Sequence, residues 1–199
     1  MSEVNIKYLL PEMKGASGGA KVIYNHSSTL NNLTKNISSE IIHLKKKLSY
    51  KLQLSLSKRI KFFDIKYSGW DGKKMKISKQ YRPKKDWHKN KIFVGDNLNF
   101  NNKKDFIIIP EICAHFAVDL KFAENKIKYA IFVQGFYHMN STNNFFNLKK
   151  SYEDASLIIT TSKYSVSYIK TMFPITSKKI FKVNLSIDSN KLKIKKNRI

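Results

Sequence analysis

The sequence predicts an α/β protein built on a doubly wound parallel sheet. Three observations carry this reading. Continuously apolar runs recur at residues 106–110, 129–133 and 157–161, as strands covered on both faces require. Stretches with helical spacing separate such runs. The chain also opens with a strand, a glycine-rich stretch and a helix, which is how a βαβ unit begins. Alternation of this kind is most economically housed in one parallel sheet with helices on both faces.

Residues 4–10 are apolar and β-branched, and Pro11 closes the strand. Gly15, Gly18 and Gly19 predict a flexible loop. Val22, Ile23, Leu30 and Leu33 then set a helix over 20–36. Residues 40–44 predict a short second strand. Residues 45–63 are ambiguous: Leu48, Leu52, Leu56 and Ile60 recur every fourth residue, whereas Leu48, Tyr50, Leu52, Leu54 and Leu56 alternate. Length and lysine content favour the helix. Residues 64–91, with Gly69, Gly72 and Pro83, read as an inserted basic loop or lid. Order resumes at 91–94 and at the strand 106–110. A helix over 112–124 and the strands 129–133 and 157–161 follow. Ser162 can cap a helix that runs to Phe173 before Pro174, and residues 180–185 close the set.

Composition narrows the class of protein. With 42% hydrophobic and 13% aromatic residues, the 199-residue chain can bury a core. Its one cysteine, Cys113, excludes a disulfide framework. No apolar run approaches the ~18 residues of a membrane span, and no signal peptide is evident. The formal charge is +24, from 35 lysines and three arginines against 14 acids. Residues 41–104 alone carry 19 basic and four acidic side chains. A solvated face in a lysine-biased composition is the simplest reading, since Lys, Asn and Ile share A/T-rich codons. Docking on an anionic membrane surface comes next, at about 1 kcal/mol per basic residue near the surface. Nucleic acid comes last, because base readout and bidentate phosphate clamps favour arginine.

In a doubly wound sheet, ligands bind beyond the carboxyl ends of the strands. Four segments fall there. Gly18 and Gly19 precede a helix whose N-terminus attracts anions, although neither a Walker A nor a GxGxxG pattern is present. Glu111 follows the strongest strand and is placed either to hold a hydroxyl or act as a base, or to complement a helix dipole. Gln134, Gly135 and His138 follow the next strand. Ser162 follows the third, where simple capping is the better-supported role. Of the five histidines, only His115 and His138 lie near strand ends. None has HExxH spacing, so no metal site is expected.

These segments together resemble a known family. Residues 18–26 with Leu30 resemble the glycine loop and first helix of GT-B glycosyltransferases, of the type with a family-4-like N-terminal domain and a family-1 C-terminal domain. Residues 107–111 resemble that family's strand ending in Pro-Glu, and residues 131–134 its next strand and polar exit. Residues 155–162 resemble its strand-Ser-helix element, and Ile187 with Asp188 the stretch that ends the first domain. The resemblance covers 4–44 and 105–192 and leaves the basic block unmatched.

The resemblance implies a Rossmann-like domain over 1–192, with 41–104 as a basic insertion and 193–199 as a basic tail. It implies the acceptor-side half of an enzyme that moves a sugar from a nucleotide-sugar donor to a glycan or lipid-linked envelope precursor. Gly18 and Gly19 would face the donor pyrophosphate. Relatives place a catalytic histidine directly after the strand ending here at Val133; this chain has Gln134 there and His138 four residues on. His138 and Glu111 are thus the catalytic candidates, and Gln134, His115 and Ser162 the cleft-lining ones. No metal and no cofactor besides the nucleotide sugar are implied. The sequence stops where the family's second domain begins, so the expectation is a half with little turnover alone: a truncated gene, a split enzyme with a separately encoded C-terminal half, or a stand-alone acceptor domain. The expected location is cytoplasmic, either free or peripheral to the inner face of the membrane. The alternative is a non-catalytic basic module that binds anionic membrane or a partner protein through 41–104.

Overall fold

The computed structural model describes residues 4–12, 17–33, 35–44, 51–53, 62–64, 77, 81, 92–135, 145–174 and 179–184. Most of the basic block, residues 136–144 and the tail lie outside the described residues. Six parallel strands form one sheet: β1 (Val4–Pro11), β2 (Ile37–Leu44), β5 (Asp105–Pro110), β6 (Lys128–Val133), β7 (Leu157–Thr160) and β8 (Ile180–Lys182). Their order is β2-β1-β5-β6-β7-β8. Two three-residue strands, β3 (Lys51–Gln53) and β4 (Phe62–Asp64), pair antiparallel in a separate ribbon. The helices are α1 (Gly18–Leu33), α2 (Phe116–Asp119), α3 (Phe145–Asp154) and α4 (Lys163–Met172), with a 3₁₀ turn at Glu111–Cys113.

Alternating side chains of the central strands divide the core between the two faces. Tyr8, Leu10, Ile108, Ala130 and Phe132 pack with Ala20, Ile23 and Tyr24 of α1. Leu9, Ile107, Ile109, Ile131, Val133 and Ile158 pack with Phe116, Leu148, Tyr152, Ile169 and Phe173 on the other side. The continuous apolar run at 106–110 is thus explained by burial on both faces. Polar contacts fix α1 to β2: the Asn31 side chain donates to the Ser39 carbonyl at 2.8 Å and accepts from its amide at 2.6 Å.

Several expected boundaries are corrected. Gly18 and Gly19 belong to the first turn of α1, and β2 is eight residues long rather than five. A helix over 45–63 is contradicted at β3 and β4, where cross-strand pairing such as Leu52 with Phe63 decides between two local periodicities. The helix over 112–124 is shorter: a 3₁₀ turn, four residues of α2 and further turns. The α3 helix had no sequence-based expectation. Residues 92–94 run along the free edge of β2, with the Ile41 amide donating to the Phe93 carbonyl at 2.8 Å.

A charged network ties β2, β1 and β5 together at their amino ends. The Lys7 ammonium lies 3.2 Å from Asp105 and 3.4 Å from Glu40. Asp105 also accepts from the Asn5 side chain at 3.2 Å and from the Asn101 amide at 2.7 Å. Removing one partner of a buried pair leaves the other charge uncompensated. Lys7→Met is expected to lower unfolding free energy by about 3 kcal/mol in urea denaturation. A loss below about 1 kcal/mol would place the pair among ordinary surface bridges.

Candidate functional site

The strand order reverses between β1 and β5. After β1 the chain turns through α1 to β2 on one side; after β5 it turns through α2 to β6 on the other. This divergence opens a crevice at the carboxyl ends, where doubly wound sheets bind ligands. The exits of β1, β5 and β6 are neighbours there, and one hydrogen-bonded chain joins them.

Glu111 leaves β5 and is almost wholly buried, at 6% exposure. Its two carboxylate oxygens accept from successive amides after β6: Oε2 from Gln134 at 3.2 Å and Oε1 from Gly135 at 3.1 Å. The Gln134 side chain then reaches the first turn of α1, donating from Nε2 to the Gly19 carbonyl at 3.2 Å. Gly19 is required for that approach. A Cβ at this position would stand 2.5 Å from Gln134 Oε1, far inside van der Waals contact. A Cβ at Gly18 would meet only open space.

The helices at this end differ in charge: the short α2 carries Asp119 in its first turn, and Glu12 follows β1. The first turn of α1 contains Lys21 and no acid. α3 and α4, which also start at this end of the sheet, have no acid in their first turns either. The partial positive charge of these helix N-termini is therefore left without an acidic partner on the helices. Burial pushes the Glu111 carboxyl above the usual range, opposed by the amide hydrogen bonds it accepts. The phenol of Tyr152, fully buried behind it on α3, is also pushed up by burial, with the charge of Glu111 adding to the effect.

Of the residues singled out by sequence, Gly18, Gly19, Glu111 and Gln134 come together. Glu111 enters as a positioning group, because both of its oxygens hold the β6 turn. Ser162 lies elsewhere and caps α4, its hydroxyl accepting from the Ser165 amide at 3.0 Å. His115 is half-buried at the start of α2, its ring 4.4 Å from that of Phe116 between centroids. His138 lies outside the described residues. Sequence reasoning missed the contact between Gln134 and Gly19; its one signal was a polar residue directly ending a buried strand. Among the described residues, no cluster of three or more His, Cys, Asp or Glu could hold a metal, and no helix is long and apolar enough to cross a membrane.

No protein-family model matches the chain, and no match to it was found among curated proteins or among solved structures. The chemistry of the crevice therefore rests on its own residues: free space at a glycine turn, a positive helix terminus and a carboxamide fixed at the edge.

The raised Glu111 carboxyl gives a signed pH dependence. Above the ordinary value of 4.5, the unfolded chain loses this proton before the folded protein does. The native state then binds more protons, and stability falls as pH rises, until the folded value is passed. Glu111→Gln is expected to cost about 1–3 kcal/mol near pH 5, because one turn amide loses its acceptor. It should also flatten the decline above that pH. Thermal melts from pH 4 to pH 8 check both; parallel profiles for the two proteins would contradict the assignment.

Proposed function

We propose that this chain is the acceptor-side half of a GT-B-type glycosyltransferase, with the crevice between β1 and β5 receiving the diphosphate of a nucleotide-sugar donor. The observation that carries the reading is the first turn of α1: Gly18 with open space around it, Gly19 locked against Gln134, and Lys21 in a turn that contains no acid. An anion there meets backbone amides and a helix dipole that need no rearrangement to receive it. The ordered motifs at 18–26, 107–111, 131–134 and 155–162 support the same reading.

In the reaction, the bond between the anomeric carbon and the diphosphate oxygen breaks as the acceptor oxygen bonds to that carbon. The acceptor's hydroxyl proton leaves with the diphosphate. The α1 turn stabilises the charge that grows on the leaving group, and the crevice holds the acceptor in line. A second Rossmann-like half supplies the remaining donor contacts, and the acceptor is a glycan or lipid-linked precursor. Glu111 acts through the turn it holds.

Pyrophosphate, the group common to such donors, is the direct probe. Titration followed by amide NMR is expected to shift Gly18 and Gly19 saturably, with weaker binding at higher salt. Gly19→Ala displaces only the flexible end of Gln134, so stability should change by no more than about 1 kcal/mol. Pyrophosphate affinity should fall about tenfold, because the added methyl and the displaced Gln134 side chain crowd the turn. Binding that leaves these amides unmoved, or equal affinity in the variant, would overturn the proposal.

A further inference from the structure

A second concavity lies along α1, beyond its first turn. It measures about 380 Å³ and lies between one flank of α1 and the segment that leaves β8. Small-ligand sites start at roughly this size. Its polar lining comes from Tyr8 in β1, from Asn25, His26 and Thr29 on α1, and from Asn184 after β8, with Leu30 among the apolar wall residues. No Lys, Arg, Asp or Glu is among its described lining residues.

Each polar group offers a neutral hydrogen-bonding function. Burial pushes the Tyr8 phenol well above its ordinary range, so it remains a hydroxyl. Tyr8 is only 2% exposed, and among the described residues nothing hydrogen-bonds its hydroxyl. His26 lies against Phe132, 5.4 Å between centroids. Burial lowers its pKa, so near neutral pH the ring offers one donor and one acceptor. The Asn184 carbonyl accepts from Lys182 at 2.7 Å, which leaves its NH₂ group to donate. Tyr8 and Thr29 hydroxyls both donate and accept.

We propose that this pocket binds one neutral sugar ring or a closely similar polyol. Such a ligand carries several hydroxyls that donate and accept at once, matching amide, hydroxyl and neutral imidazole partners. Its C–H face suits the apolar wall at Leu30. A phosphate or carboxylate would be desolvated here without a charged partner from the described lining. The proposal does not depend on the glycosyltransferase reading, because it stands on different residues and a different ligand chemistry.

The test follows the His26 ring by NMR in the full chain while methyl glucoside or N-acetylglucosamine is added. Glucose 1-phosphate and adenosine serve as comparators. Saturable shifts with a neutral sugar, in the range of about 10 mM or tighter, are expected. Tyr8→Phe, which removes one hydroxyl, should weaken binding up to about tenfold, and Thr29→Val, at an exposed helix position, should weaken it several-fold. The proposal is overturned if no neutral sugar shifts the ring, if a comparator binds more tightly, or if both variants bind like the parent. Pyrophosphate should leave His26 unmoved, so failure of this pocket and failure of the crevice are read separately.

Discussion

A carboxylate buried at the end of a central strand must find donors, and Glu111 finds them in two consecutive backbone amides. That requirement organises the carboxyl end of the sheet. It fixes the turn after β6, which orients Gln134, which in turn reaches the Gly19 carbonyl at the start of α1. Three strand exits thereby hold one geometry at the point where the chain direction diverges. Without the clamp, the β6 exit would be an ordinary surface turn, and the first turn of α1 would have no fixed neighbour across the crevice.

The two ends of the sheet are electrostatically opposite. At the amino ends, Asp105 and Glu40 surround Lys7, so charge is neutralised locally. At the carboxyl ends, α1, α3 and α4 begin without acids. The lysine excess of the composition says little about this polarity, because it is concentrated in 41–104. The anion site proposed at the crevice rests instead on a few groups around α1.

The strands were legible because burial on both faces removes polar alternation, as at Ile107, Ile108 and Ile109, all buried. The crevice was legible too, since strand-exit residues follow from the sheet's connectivity. Other features were not. β3 and β4 depend on a cross-strand partner that no local period reveals. α3 hides its inner face, because only Leu148, Ser151 and Tyr152 are buried and one of them is polar. Gly18 and Gly19 looked like loop because glycine disfavours helices; Gly19 stays in the helix because Gln134 occupies the space of a side chain. That contact spans 115 positions, a distance over which spacing carries no information. The role of Glu111 shifted for the same reason, since its partners are backbone amides that any sequence supplies.

Hydrogen exchange at the Gln134 and Gly135 amides tests the clamp most directly. Both sit in a turn just past the end of β6, where unpaired amides exchange within the fraying regime of loops. If Glu111 holds them, they should exchange as slowly as the amides of β6 itself, and Glu111→Gln should release at least one of them by about tenfold or more. Exchange at the rate of an open turn in the parent protein, or rates unchanged in the variant, would contradict the account.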